Sequence, residues 1–397
     1  MTTARTATPS TARAINDRLA LDLLLSHGPL TATELRTLTG LSRPTVSDLL
    51  ERLQHGGLVD IVGERGEERR GPNARVYGLR GDRAHLAGID VRTVGVTLTI
   101  ADLAGRTLAT TSLPVDPAAP PADFPAQVLK ALRDAGHRVG VKHLHTVVVG
   151  APGLVDPATG QLRSTSSLPH WHGDLVAGLR AGLSAELILE NEVNLAGIAE
   201  HRLGAATDRD TFVLLWLGHG TGAALLLDGR LRRGAAGGAG EIGFLPVPGT
   251  VGLPGPHTCD GGFHSLAGSA AVCELARAHG LPVPAGQGDD APAAEAAVLA
   301  ALAAGPAGEA FLDELAARVA LGVAAVCVLL DPGCVVLGGE IGRAGGPVLA
   351  GRVERRLAEL SPIRTEVRAG TAGGGAVLSG AVLIAGDAVR RAVFGGP

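Results

Sequence analysis

Lysine is almost missing from this chain. Of 35 Lys+Arg only Lys130 and Lys142 are lysine, which leaves 33 arginines. With alanine and glycine (58 residues) also heavy, the bias reads mainly as genome composition. Cysteine is sparse and unpatterned. The four, at 259, 273, 327 and 334, form no C-x-x-C pair, which argues against a disulfide framework and for reduced, intracellular chemistry. Long apolar runs are lacking too. The longest, residues 319–330, is too short to span a bilayer, and residues 1–14 are polar rather than signal-like. A soluble, cytoplasmic protein with no membrane partner is expected. The net charge of −4 argues against nucleic-acid binding over the whole surface but leaves room for one basic domain.

What is present fits a globular chain. A length of 397 residues, 46% hydrophobic and 19% charged, suggests two or three domains with cores of their own. Residues 1–14 read as a disordered N-terminus. Residues 15–83 read as three helices and a hairpin. In the first helix Ile15, Leu19, Leu23 and Leu24 share a face, and the stop follows at His27-Gly28-Pro29. The second starts at Thr31 with Glu34 three residues on, a capping-box spacing, and turns Leu35 and Leu38 inward. The third is capped by Ser42 and places Val46, Leu49, Leu50 and Leu53 on its core face. Its other face then offers Arg43, Thr45, Ser47 and Arg52. Two short helices about a Gly-containing turn form a helix-turn-helix, whose second helix enters the major groove by its N-terminal end. Short strands at 58–62 and 76–79 flank a charged tip, a wing that can reach phosphate with Arg69, Arg70, Asn73 and Arg75. Helix-turn-helix and wing together are the more specific signal, and double-stranded DNA is the expected partner.

From residue 84 to 397 the pattern becomes α/β: a meander at 86–113, a buried strand at 146–149, further strands at 187–189 and 212–217, and helices between and after them. Residues 282–294 read as a Pro/Gly-rich loop, and helices are expected at 309–330, 346–360 and from Val377 to about Val393. Residues 239–269 gather Glu241, His257, Cys259 and His264 at short spacing, with apolar Phe244 and Leu266 among them.

The motifs in order are GID near 88–90, DLAG at 102–105, GAPGLVD at 150–156, ENEVN at 190–194, AGEIG at 239–243, LDPGCVVLGGE at 330–340 and GTAGGGAVLSGA at 370–381. On them the chain resembles ROK-family transcriptional regulators, a winged helix-turn-helix fused to a sugar-kinase-like domain. The resemblance implies an actin-like ATPase (ribonuclease H-like) fold of two lobes about a cleft. The second lobe begins at about 205, and the C-terminal helix returns to the first.

Residue by residue, it implies altered chemistry. An active family kinase carries Asp-x-Gly-Gly-Thr, and here Asp90 is followed by Val91, Arg92, Thr93 and Val94. Gly218-His219-Gly220 stands for a second phosphate turn that reads Gly-Thr-Gly in the family. ATP binding is therefore not expected. The family's catalytic Asp is Glu192 here, on a longer arm, and the sugar-contacting His and acid have become Phe244 and Leu266. Gly153, Asn191, Glu192 and Glu241 are then candidate contacts for a small carbohydrate-like effector rather than catalytic groups. The family's zinc motif reads His257, Cys259 and His264, with Phe244 at the fourth ligand, so zinc is a possible cofactor on three donors. The expected function is a DNA-binding repressor, working as a homodimer or a dimer of dimers on an operator. An active ATP-dependent sugar kinase with an accessory DNA-binding domain, or an interaction scaffold, are the rivals.

Overall fold

The structure is a computed structural model; it describes residues 9–65, 73–116, 121–163, 169–255, 258–285 and 289–393. The N-terminal unit opens with α1 (Pro9–His27). This helix begins earlier than the expected disorder to residue 14 allows, with Pro9, whose fixed φ suits a first helical position, at its start. Its inward face also differs. Ala20, Leu21 and Leu24 are buried, whereas Ile15 is 57% and Leu19 39% exposed. A two-residue strand, β1 (Leu30–Thr31), then follows and pairs with Val76 and Tyr77; it is too short for the sequence pattern to reveal. α2 (Ala32–Thr39) starts on the expected capping box: Thr31 Oγ1 accepts from the Glu34 amide at 3.2 Å, and the Thr31 amide donates to Glu34 Oε2 at 2.7 Å. Leu35 points inward, but Leu38, three residues on from it, is 46% exposed. α3 (Arg43–His55) buries Val46, Leu49, Leu50 and Leu53 as its spacing predicts. β2 (Val59–Arg65) and β3 (Ala74–Leu79) form the wing hairpin, and β1 completes a three-stranded sheet in the order β1-β3-β2.

Two five-stranded sheets follow, each with the same topology. In the first, β4 (His85–Arg92), β5 (Gly95–Asp102) and β6 (Thr107–Pro114) form an antiparallel meander. After α4 (Phe124–Arg138), the fully buried β7 (Thr146–Ala151) joins β4 in parallel. A small hairpin of β8 (Leu154–Val155) and β9 (Leu162–Arg163) and α5 (Trp171–Gly182) lead to β10 (Glu186–Asn191), parallel to β7. α6 (Glu192–Leu203) then crosses to the second lobe. There β11 (Phe212–Leu217), β12 (Thr221–Leu227) and β13 (Arg230–Arg232) form the meander. A long excursion carries α7 (His264–Ala267), α8 (Ser269–Ala278), α9 (Ala291–Ala303) and α10 (Pro306–Leu330). β14 (Cys334–Gly338) joins β11 in parallel, α11 (Gly339–Leu360) crosses over, and β15 (Glu366–Ala369) closes the sheet. α12 (Ala376–Val393) ends the described chain. The sheet orders β6-β5-β4-β7-β10 and β13-β12-β11-β14-β15 are the same path walked twice.

Four cores follow from this layout. One lies in the winged helix, and each lobe has its own outer core. The fourth lies between the lobes: α6 and α12 bring Leu195, Ala199, Val377 and Ala381 together with Leu86 and Val148 of the first sheet and Leu214 and Val336 of the second. The two helices touch closely enough that a Cβ on Gly380 would stand 2.0 Å from the Leu195 carbonyl oxygen. The return of the last helix to the first lobe is therefore a packed joint.

Several boundaries differ from the sequence reading. The expected loop 282–294 gives way to α9 at Ala291, with Pro292 accommodated in the first turn. The helix expected at 346–360 starts seven residues earlier, at Gly339, and bends where Gly346 takes φ 52° ahead of Pro347. α6 starts at Glu192 rather than about 195, because Asn191 caps it. α10 buries eleven of its 25 residues, between Gly308 and Cys327, whereas Val328 and Leu329 at its end are 62% and 78% exposed. Among the described residues no helix is long and apolar enough to cross a membrane.

Candidate DNA interface and effector cleft

α3 presents the polar N-terminal end that its spacing predicts. Arg43 and Ser47, one turn apart, are exposed, and Thr45 is half-buried with its hydroxyl 2.8 Å from Ser42 Oγ. Arg43 has no partner among the described residues. Arg52 is different. Its Nη2 donates to Asp17 Oδ1 of α1 at 2.6 Å, so it braces the helical unit from the far end of α3. In the wing, Arg75 is exposed and Asn73 Nδ2 reaches Glu64 Oε2 at 3.3 Å. Arg65 of the same hairpin is tied to Glu34 at 2.6 Å. Arg69 and Arg70 lie outside the described residues.

The second site is a cavity of about 210 Å³ in the cleft between the lobes. Its floor is built at the joint of β10 and α6. The Asn191 side chain caps α6, its Oδ1 accepting from the amides of Val193 (2.9 Å) and Asn194 (3.2 Å). Its Nδ2 donates to the Gly153 carbonyl (3.1 Å) and to Glu192 Oε2 (3.0 Å). The four candidate effector residues thus meet: Gly153, Asn191 and Glu192 from the first lobe, with Glu241 on the opposite wall. Burial raises the Glu192 carboxyl to about 7, against which the nearby Arg92 acts and to which the charges of Asp90 and Glu241 add. Glu241 is also raised by desolvation and has no hydrogen-bond partner among the described residues. Its position depends on Gly240, which at φ 94° lies so close to β12 that a Cβ would stand 1.9 Å from the Ala223 carbonyl oxygen. Phe244, Trp216 and Leu154 supply apolar wall.

At the end of β4 the chain places a charged cluster about Arg92. Arg92 Nε donates to both oxygens of buried Asp90, at 3.0 and 2.9 Å. Its Nη1 donates to Glu340 Oε1 at the start of α11, at 3.0 Å, and its Cζ stands 5.5 Å from the centre of the Trp216 ring. Burial works against the cation, but Asp90 and Glu340 outweigh it and hold Arg92 protonated more firmly than in water. The sequence showed the loss of glycine here. That the replacement would bridge the lobes depended on Glu340, 248 residues away, and left no local signal. Beyond this bridge, the space lined by Glu200, Trp216, Gly339 and Glu340 is only about 40 Å³. Glu200 accepts from the amides of Ala205, Thr371 and Ala372 and so pins the Gly-rich turn ahead of α12.

On the far wall, His219 Nδ1 is 3.2 Å from Asp289 Oδ1, which raises its pKa, while burial lowers that of His264. Cys259 and His264 both line the cavity. They do not make a zinc centre by themselves: among the described residues no three His, Cys, Asp or Glu side chains converge on a point. His257 lies outside the described residues, and Phe244 offers no donor, so the described part supplies two of the four ligands such a site wants.

Comparison with known proteins follows the same division. Residues 86–388 match the model described as "ROK family", and residues 15–70 match one described as "MarR family". The DNA-binding transcriptional dual regulator NagC of Escherichia coli K12 is 24% identical over 235 residues, 59% of this chain and 57% of that protein. The xylose repressor of Bacillus subtilis 168 is 23% identical over 240 residues, 59% of this chain and 60% of that protein. The matches thus span under two thirds of these relatives' own length. A crystal structure titled as a ROK family transcriptional regulator, a homolog of the E. coli MLC protein, aligns with a TM-score of 0.73 at 20% identity, covering 96% of this chain and 98% of that one.

Proposed function

Because the chain belongs to the ROK family and joins a winged helix-turn-helix to its two-lobed domain, we propose that it is a DNA-binding transcriptional repressor answering to a small carbohydrate-like effector. One observation carries the reading. Arg43 and Ser47 at the N-terminal end of α3 are exposed, and Arg43 has no partner among the described residues, while the corner that would take a kinase's phosphates is filled by the chain's own Arg92 bridging Asp90 and Glu340. In this reading the kinase chemistry is lost. A nucleotide would have to displace a desolvated ion pair, and Glu192, raised to about 7 and held by Asn191, stands where the family has an aspartate base. The relatives named as regulators, NagC and the xylose repressor, support it.

Arg43, Thr45 and Ser47 would read or position the operator in the major groove, with Arg75, Asn73, Arg69 and Arg70 on the wing. A homodimer, or a dimer of dimers, would match an inverted repeat. The effector would lie against Gly153, Asn191, Glu192 and Glu241 and act only through a difference in affinity between the lobe arrangements that bind and release DNA. Zinc on His257, Cys259 and His264 is not needed for this mechanism, and metal analysis of the purified protein tests for it directly. The function is tested by footprinting the full chain on its own promoter region, with and without xylose, glucose and N-acetylglucosamine. A protected inverted repeat that is lost with one sugar supports the reading; no protection, or turnover of any of these sugars with ATP, refutes it.

A further inference from the structure

Arg92 does more than close the old phosphate corner. Three of its contacts cross or brace the cleft: Asp90 on its own strand, Glu340 on the other lobe, and the face of Trp216, also on the other lobe. These use Nε and Nη1. The remaining nitrogen, Nη2, has no hydrogen-bond partner among the described residues, and the side chain, 30% exposed, lines the effector cavity. A guanidinium is a rigid planar fork, so a group bonded at one edge fixes where the other edge can point. Glu340, in contrast, does not line that cavity.

We propose that Arg92 is an effector-contacting residue that doubles as a bolt between the lobes, its Nη2 donating to an oxygen of a neutral sugar while Nε and Nη1 hold Asp90 to Glu340. This rests on the effector reading above and adds to it the residue that couples occupancy to lobe position. A sugar oxygen drawn to Nη2 orients the same plane that holds Glu340, so filling the cavity favours one lobe arrangement. The chemistry selects the ligand class. Nη2 needs an acceptor, and Glu192 and Glu241, which line the same cavity, need donors, which a polyol supplies together. An anionic sugar would meet those two carboxyls unfavourably.

The test uses the full-length protein and calorimetric titration with xylose, glucose and N-acetylglucosamine, on wild type, Arg92→Ala, Arg92→Lys and Glu340→Gln. Hydrogen exchange of the sugar-free proteins is followed in parallel. For whichever sugar binds wild type, R92A should weaken binding about 10- to 100-fold, the range for losing a charge-assisted hydrogen bond. R92K should fall between, since an ammonium cannot keep the fork geometry. E340Q should weaken binding several-fold although Glu340 is outside the cavity, an effect a merely local contact would not produce. Without sugar, R92A and E340Q should each speed exchange at the end of β4 and the start of α11 together. Unchanged affinity in R92A, or loss in R92A with none in E340Q, overturns the coupling. If none of the three sugars binds wild type, the effector reading fails, and exchange alone decides the bolt: no change in either segment refutes it.

Discussion

Replacing Glu192 by glutamine should stabilise the ligand-free protein, and more at alkaline than at acid pH. The carboxyl is raised from 4.5 to about 7, chiefly by burial. Between those values the folded state holds a proton that the unfolded state has released. Stability contributed at this position therefore falls as pH rises from about 4.5 to about 7 and stays low above it. The full difference is about 3 kcal/mol at 1.36 kcal/mol per unit, an upper value because the side chain retains some access to the cavity. Glutamine keeps the contact with Asn191 Nδ2 through its own carbonyl and carries no charge to bury. Urea unfolding of wild type and E192Q at pH 5 and pH 8 measures this. The stability gained by E192Q should be small at pH 5 and about 1–3 kcal/mol at pH 8. The upward shift of His219 beside Asp289 is common to both proteins and cancels in the comparison. An equal gain at the two pH values would refute the assignment of a desolvated carboxyl at 192.

Other changes separate the two sites. Arg43→Ala should weaken operator binding about 10-fold at matched salt, the scale of a lost base or phosphate contact, with no change in unfolding, since Arg43 is exposed and has no partner among the described residues; gel-shift titration and thermal unfolding report the two. Gly240→Ala should abolish sugar binding and lower the melting temperature, because the new Cβ would meet the Ala223 carbonyl at 1.9 Å and Gly240 sits at φ 94°. Thr31→Ala should cost about 1 kcal/mol by losing the cap of α2, seen as a shifted unfolding midpoint.

How much of this was legible in the sequence differs between the regions. The α3 core face, the capping box at Thr31–Glu34 and the buried strands were readable because each is a local rule: a 3.6-residue period, a three-residue spacing, a run of apolar residues. The inward assignment of Leu38 failed, and of the face shared by Ile15, Leu19, Leu23 and Leu24 the first two are exposed, because the small winged-helix core covers only part of each helix. Sequence also identified that Asn191, Glu192, Gly153 and Glu241 belong together, through the order of motifs. A cap is an ordinary role for an asparagine ahead of a helix, but the bonds from Asn191 Nδ2 to Gly153 and Glu192 leave no local signal. Arg52 was misread in role for a related reason: its exposure on α3 was foreseen, but its partner Asp17 lies 35 residues away. The Arg92–Glu340 bridge is the extreme case, since pairing across a two-lobed fold is set by how the lobes pack.

The central claim is that the winged helix binds DNA and that the cleft controls it. The most direct measurement is the affinity of the full chain for a labelled fragment of its own promoter region, titrated at fixed salt with xylose, glucose or N-acetylglucosamine, in wild type and R92A. Both proteins should bind tightly and with sequence dependence, and one of the sugars should release wild type but not R92A, or R92A only at far higher concentration. Sequence-independent binding, or release that is the same in both proteins, would contradict it.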